Sequence, residues 1–253
     1  MVDDLIQRGL QHHQAGRINE AILVYEQALS LQPQHPDALH LLGLTALQSG
    51  DADRAVDLIG QAASIQPKNP AFQANLGAAL IEARKPAGAL AAYLRAGKLN
   101  PDEPQFQMAI ANCHALCGEH AQAEKKLRKI TQKFPHYALA WFNLGNTVRD
   151  QGRVEAALEF YRRAIAIDGG QIEARNNLGA ALMTLGRLDE AEQSFRDALA
   201  LDPDSAIGHC NLASALIDRG RFAEAEVACR RAIACAPQSA LAHSFLAAAI
   251  GHQ

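Results

Sequence analysis

Asparagine recurs at 143, 177 and 211, each 34 residues after the last, and an earlier copy stands at 75, with Ala109 interrupting the series. A carboxamide offers both donors and an acceptor, so a row of them can pair with peptide groups whatever side chains those carry. Asparagine is also a poor helix former, and its repeated use inside a helix wants a reason. Cys113 and Cys117, with His114 between them, come nearest to a metal-ligand cluster. That spacing equally suits two small buried residues, and no third or fourth ligand accompanies them, so no metal is expected. The patterns GxxxxGK[ST], HExxH and GxSxG are absent, and no carboxylate pair sits in a pocket-forming context. The chain reads as a non-enzyme without a cofactor.

The elements that would carry these residues follow from the same period. Trp141, Leu144, Gly145, Gly152, Ala157, Tyr161 and Ala164 return 34 residues later as Arg175, Leu178, Gly179, Gly186, Ala191, Phe195 and Ala198. Extending the register gives seven repeats without insertion: 2–35, 36–69, 70–103, 104–137, 138–171, 172–205 and 206–239, with 240–253 as a single further helix that caps the array or starts an eighth repeat. The eighth position is always Gly or Ala, the twentieth always Ala, and larger residues such as Tyr25, Tyr93, Tyr161 and Phe195 stand at the twenty-fourth. Small residues at fixed places let two helices approach closely. Glycine at 16, 50, 118, 152, 186 and 220 ends the first helix of each pair. Arg84 takes that place in the third repeat, which predicts a less ideal turn. Proline at 33, 67, 101, 135, 203 and 237 ends the second helix, where continuing it would cost about 3 kcal/mol. Gly169-Gly170 stands there in the fifth repeat and predicts a soft joint before the sixth.

This period, with this spacing of small and large apolar residues, resembles the tetratricopeptide repeat family over essentially all of residues 2–250. The resemblance implies an all-α fold: a right-handed α-solenoid of seven helix-turn-helix repeats plus a C-terminal helix, with first helices lining a concave groove. It implies that the second, fifth, sixth, ninth, twelfth and thirteenth positions face that groove. The carried-over surface is apolar at Leu44, Leu47 and Ile81 and rich in amides at Asn75, Asn112, Asn143, Asn146, Asn176, Asn177 and Asn211, with Arg149 beside them. These residues are the expected peptide-binding set. The amide column is similar to the asparagine ladder in the repeat arm of O-linked N-acetylglucosamine transferases; its Asn-Leu-Gly triplet matches at Asn75, Asn143 and Asn177, while Asn211 is followed by Leu and Ala. The same asparagines would serve equally as local hydrogen-bonding groups. A second family pattern, the carboxylate clamp, fails, because Met108, Glu173 and Asn177 stand where its cations would be.

Composition narrows the setting. A net charge of −3 over 253 residues gives no field that would draw nucleic acid, and no apolar run is long enough to span a membrane. The basic helix 124–133 lacks aromatic interleaving and reads as a solvated face. Five cysteines without CxxC spacing point to a reduced, cytoplasmic chain rather than a disulfide framework. The expected function is a scaffold that binds an extended peptide or helix of a partner protein. The alternatives are the substrate-recognition arm of a larger enzyme, such as an O-GlcNAc-transferase-like glycosyltransferase, and a self-assembling structural protein that forms homo-oligomers through its C-terminal helix, where Leu241, Leu246 and Ile250 lack a covering helix.

Overall fold

Columns of alanine and glycine let each repeat close as two antiparallel helices, and that is how the chain folds. A computed structural model describes residues 1–251; the expectations for His252 and Gln253 lie outside the described residues. Among the described residues there are fifteen helices and no strand. They are α1 Val2–Gln14, α2 Ile18–Leu31, α3 Pro36–Gln48, α4 Ala52–Ile65, α5 Pro70–Glu82, α6 Pro86–Leu99, α7 Pro104–Leu116, α8 His120–Lys133, α9 Ala138–Asp150, α10 Val154–Ile167, α11 Ile172–Thr184, α12 Leu188–Leu201, α13 Ala206–Asp218, α14 Phe222–Cys235 and α15 Ala240–Gly251. The chain forms two compact halves, Met1–Ala123 and a second that begins at Glu124.

Within the N-terminal half α1 packs on α2, α3 on α4 and α5 on α6, and each second helix also meets the next first helix. The C-terminal half repeats this with α9 on α10, α11 on α12 and α13 on α14, and α15 lies against α13 and α14. Ala21, Ala55, Ala89, Ala157, Ala191 and Ala225 are all fully buried, as expected of residues where two helix backbones meet. The glycines at the eighth position face the large residues of the twenty-fourth: Gly9 faces Tyr25, Gly43 faces Ile59, Gly77 faces Tyr93, and Gly179 faces Phe195.

The turns follow the punctuation. Gly152 takes a left-handed φ of +80°, and the next N–H, from Arg153, reaches back to the Val148 carbonyl at 3.1 Å. Arg84 is forced into the same region at φ +56° without glycine's freedom, so the expected poor turn is present. The proline turns carry a further tie that the sequence did not disclose. Gln107 Nε2 donates to the Pro101 carbonyl at 3.3 Å and Trp141 Nε1 to Pro135 at 2.9 Å. His209 and His243 do the same with Pro203 at 2.9 Å and Pro237 at 3.0 Å, with Nε2 donating because a carbonyl can only accept. These histidines are positional equivalents of Trp141, fixing the loop between repeats. The Gly169-Gly170 turn has neither proline nor this tie, since Arg175 donates instead to Gln171, at 3.4 Å.

On the second helices of the C-terminal half, buried Glu192 takes three arginines: Arg196 at 2.8 Å, Arg221 at 2.6 Å, and Arg219. Burial alone would raise its pKa, but hydrogen bonds from Arg196 and Arg221 and their charge hold it below the ordinary carboxylate value. At the end of the chain, α15 uses Ala242 and Phe245 for packing around Cys210 and Ala232. Leu241 and Ile250 stay 52% and 49% exposed, whereas Leu246 is partly covered.

Candidate functional site

Three first helices of the N-terminal half, α3, α5 and α7, line an open hollow of about 640 Å³. Leu47, Ile81 and Asn112 line it, so three of the residues expected to bind a partner come together there. Ala78 and Ala109 line it as well, because a small residue at each of these places leaves room between the helices. Tyr93 from α6 and Cys113 from α7 reach it too. Burial pushes the Cys113 thiol up to about 11, so this sulfur stays protonated and unreactive near neutral pH. Leu44 and Asn75 are not among its lining residues. Leu44 packs with Leu47 on the cluster of Ala46, Ala55, Ile59 and Ala79. Asn75 Nδ2 lies 2.7 Å from His40 Nε2, and the His40 ring rests on Phe72 with centroids 4.5 Å apart. Donation by the amide leaves that ring neutral, in keeping with a His40 pKa lowered by burial against the opposing charge of Asp37.

The C-terminal half arranges its amides differently. Asn177 Nδ2 donates to Asn146 Oδ1 at 2.8 Å, and the Tyr161 hydroxyl donates to the same oxygen at 2.8 Å. One repeat further on, Asn211 Nδ2 donates to Asn176 Oδ1 at 3.3 Å. The sixth-position asparagines thus join neighbouring first helices, each spending a donor to do so. The Oδ1 atoms of Asn177 and Asn211 accept no hydrogen bond among the described residues, so these acceptors remain available to a ligand. Asn143 is half-buried on α9, and its backbone carbonyl takes the Thr147 hydroxyl at 2.9 Å. Arg149 is bonded to the next residue, Asp150, at 2.9 and 3.1 Å, which offsets its charge.

Reading position by position missed the tyrosines and His40. The signal was available in the 34-residue register, which sets Tyr161 against Asn146, but a tyrosine in a packing column invites only a packing role.

Matches to models described as tetratricopeptide repeat cover residues 46–113, 138–204 and 173–240, and one described as TPR repeat covers 9–50. The chain belongs to the tetratricopeptide repeat family. No curated protein sequence matches it. Among solved structures, a tetratricopeptide repeat protein from Parabacteroides merdae ATCC 43184 is similar with a TM-score of 0.79 at 14% identity, covering 98% of each chain. A chain of the APC/C hetero-tetramer Cut9-Hcn1 gives 0.70 at 17% identity, over 96% of this chain and 48% of that one, so this chain spans about half its length. YrrB, described as a TPR protein with an unusual peptide-binding site, gives 0.55 at 21% identity, over 74% of this chain and 96% of its own. At these identities the likeness concerns the fold alone.

Proposed function

We propose that this chain is a non-enzymatic scaffold whose first-helix face holds an extended segment or helix of a partner protein. The hollow across α3, α5 and α7 carries the reading, because it gathers Leu47, Ile81 and Asn112 into one apolar recess with polar groups at its wall. Apolar side chains of a ligand would anchor there. Taken by itself, the C-terminal half offers amide acceptors at Asn177 and Asn211 that suit peptide N–H groups. The fold likeness to a protein described as having a peptide-binding site lends support. We read the chain as seven repeats over 2–239 followed by the helix from 240, in a reduced, cytoplasmic setting. Peptides selected on the intact chain from a random display library provide the test. Hydrogen exchange with a selected peptide should slow more in α3, α5 and α7 than in α4 and α6, of which only Ala52 and Tyr93 reach the hollow. Slowing confined to the second helices would refute the reading.

A further inference from the structure

Tyr25, Tyr93 and Tyr161 stand at one register, each ring against a glycine of the paired helix, yet what meets their hydroxyls differs. Beside Tyr161 the residues at 146 and 177 are asparagines, and its hydroxyl shares Asn146 Oδ1 with the Asn177 amide. Beside Tyr25 the equivalents are Leu10 and Leu41; Leu41 packs into the Tyr25 cluster, and the hydroxyl is buried without a partner among the described residues. Beside Tyr93 they are Ala78 and Ala109, 68 residues before Asn146 and Asn177. Both alanines and Tyr93 line the hollow. The space where one half of the protein holds two carboxamides is therefore open in the other.

The Tyr93 hydroxyl makes no hydrogen bond among the described residues. Burial, with Cys113 adding to it, pushes its pKa up to about 12, so it remains a donor through the physiological range. Leu47 and Ile81 flank the space with apolar surface, Asn112 brings one carboxamide to its wall, and Glu82 is the one charged residue on the lining. A carboxylate would be repelled by Glu82, and an apolar group would leave the hydroxyl unpaired. A neutral amide avoids both penalties, because its oxygen accepts and its nitrogen donates.

We infer that the hollow is a slot for the carboxamide of a glutamine on an extended partner segment, with its oxygen on the Tyr93 hydroxyl and its two methylenes against Leu47 and Ile81. The slot takes from the partner the group that Asn146 supplies to Tyr161 internally. This rests on the first-helix face being the binding face.

The test uses blocked single-residue probes, N-acetyl methylamides of glutamine, methionine, glutamate and lysine, titrated against the intact chain while backbone amide shifts are followed. The glutamine probe should shift residues around Ala78, Tyr93 and Ala109 and bind roughly 3- to 10-fold tighter than the methionine probe, the range expected of one net hydrogen bond. Tyr93→Phe should erase that preference. Ala78→Asn with Ala109→Asn should also erase it, by refilling the space with the protein's own amides, and circular dichroism should show the helices intact in both variants. Equal or tighter binding of the methionine, glutamate or lysine probe overturns the slot. So does a glutamine preference that survives Tyr93→Phe, or the absence of any shift there. None of these results touches the exchange footprint of a selected peptide, so the slot can fail while the binding face stands.

Discussion

Gly145 and Tyr161 are a matched pair: a Cβ built on Gly145 would lie 2.6 Å from the Tyr161 ring, which is itself completely buried. The ring sits where a side chain on α9 would otherwise stand. Where the eighth position is Ala213 instead of glycine, the twenty-fourth is Cys229, which fills less space. At that pair the two columns compensate one another, although Ala111 stands in register with the larger Leu127.

Gly145→Ala should therefore destabilise by about 1–3 kcal/mol through overpacking, despite alanine's better helix propensity. In a Tyr161→Cys background the same change should cost little or nothing, as in the Ala213 and Cys229 pair. A double-mutant cycle from urea denaturation checks this; additive effects would show that the ring and the glycine are not coupled.

Asn146→Ala leaves the Tyr161 hydroxyl and the Asn177 amide without their shared acceptor. We expect a loss of about 1–3 kcal/mol, measured by the denaturant midpoint. Helix propensity by itself favours alanine at this position. The shared acceptor reverses that expectation, and an unchanged midpoint would restore it.

Glu192 gives the fold an acid-sensitive tie. Its folded pKa lies below the ordinary value of 4.5, so its contribution is fully present above that value and is lost as pH falls through the folded pKa. Glu192→Gln should cost about 1–3 kcal/mol at pH 7, because three arginines lose a buried carboxylate. The gap between the wild type and the variant should narrow below pH 4.5. A gap that is constant down to pH 2.5 would mean the carboxylate is not held by its arginines.

Two turns invite stabilisation. Gly169 has no left-handed φ and makes no hydrogen bond among the described residues, and nothing lies within 4 Å of a Cβ built there. Asp168 before it has φ −128° and ψ 98°, close to the φ −134° and ψ 85° of Asp202 before Pro203. Gly169→Pro should thus stabilise by a few tenths to about 1 kcal/mol and slow hydrogen exchange between α10 and α11. Arg84→Gly should gain about 1 kcal/mol by relieving the left-handed backbone. A lower thermal midpoint in either variant would contradict the account of that turn.

The helix pairs were legible because steric demands repeat: Ala157 and Ala191 must be small, and Gly152 must turn left-handed. The poor turn at Arg84 and the exposed Leu241 and Ile250 were legible for the same reason. Leu246 was read as uncovered, but its place on α15 leaves it partly covered. The site was legible only as a list of positions. That Leu47, Ile81 and Asn112 share a hollow depends on the absence of side-chain bulk at Ala78 and Ala109, and a missing atom is hard to read from a single position. That Asn177 and Asn211 bond to neighbouring helices depends on side-chain direction, which spacing does not specify.

The central claim is that α3, α5 and α7 hold the partner. Calorimetric titration of one library-selected peptide against Ile81→Asp and against Gln61→Asp, a change on the exposed face of α4, tests it most directly. The account predicts at least a tenfold loss of affinity for Ile81→Asp, with helicity preserved, and no change for Gln61→Asp. Unchanged affinity for a folded Ile81→Asp protein would contradict it.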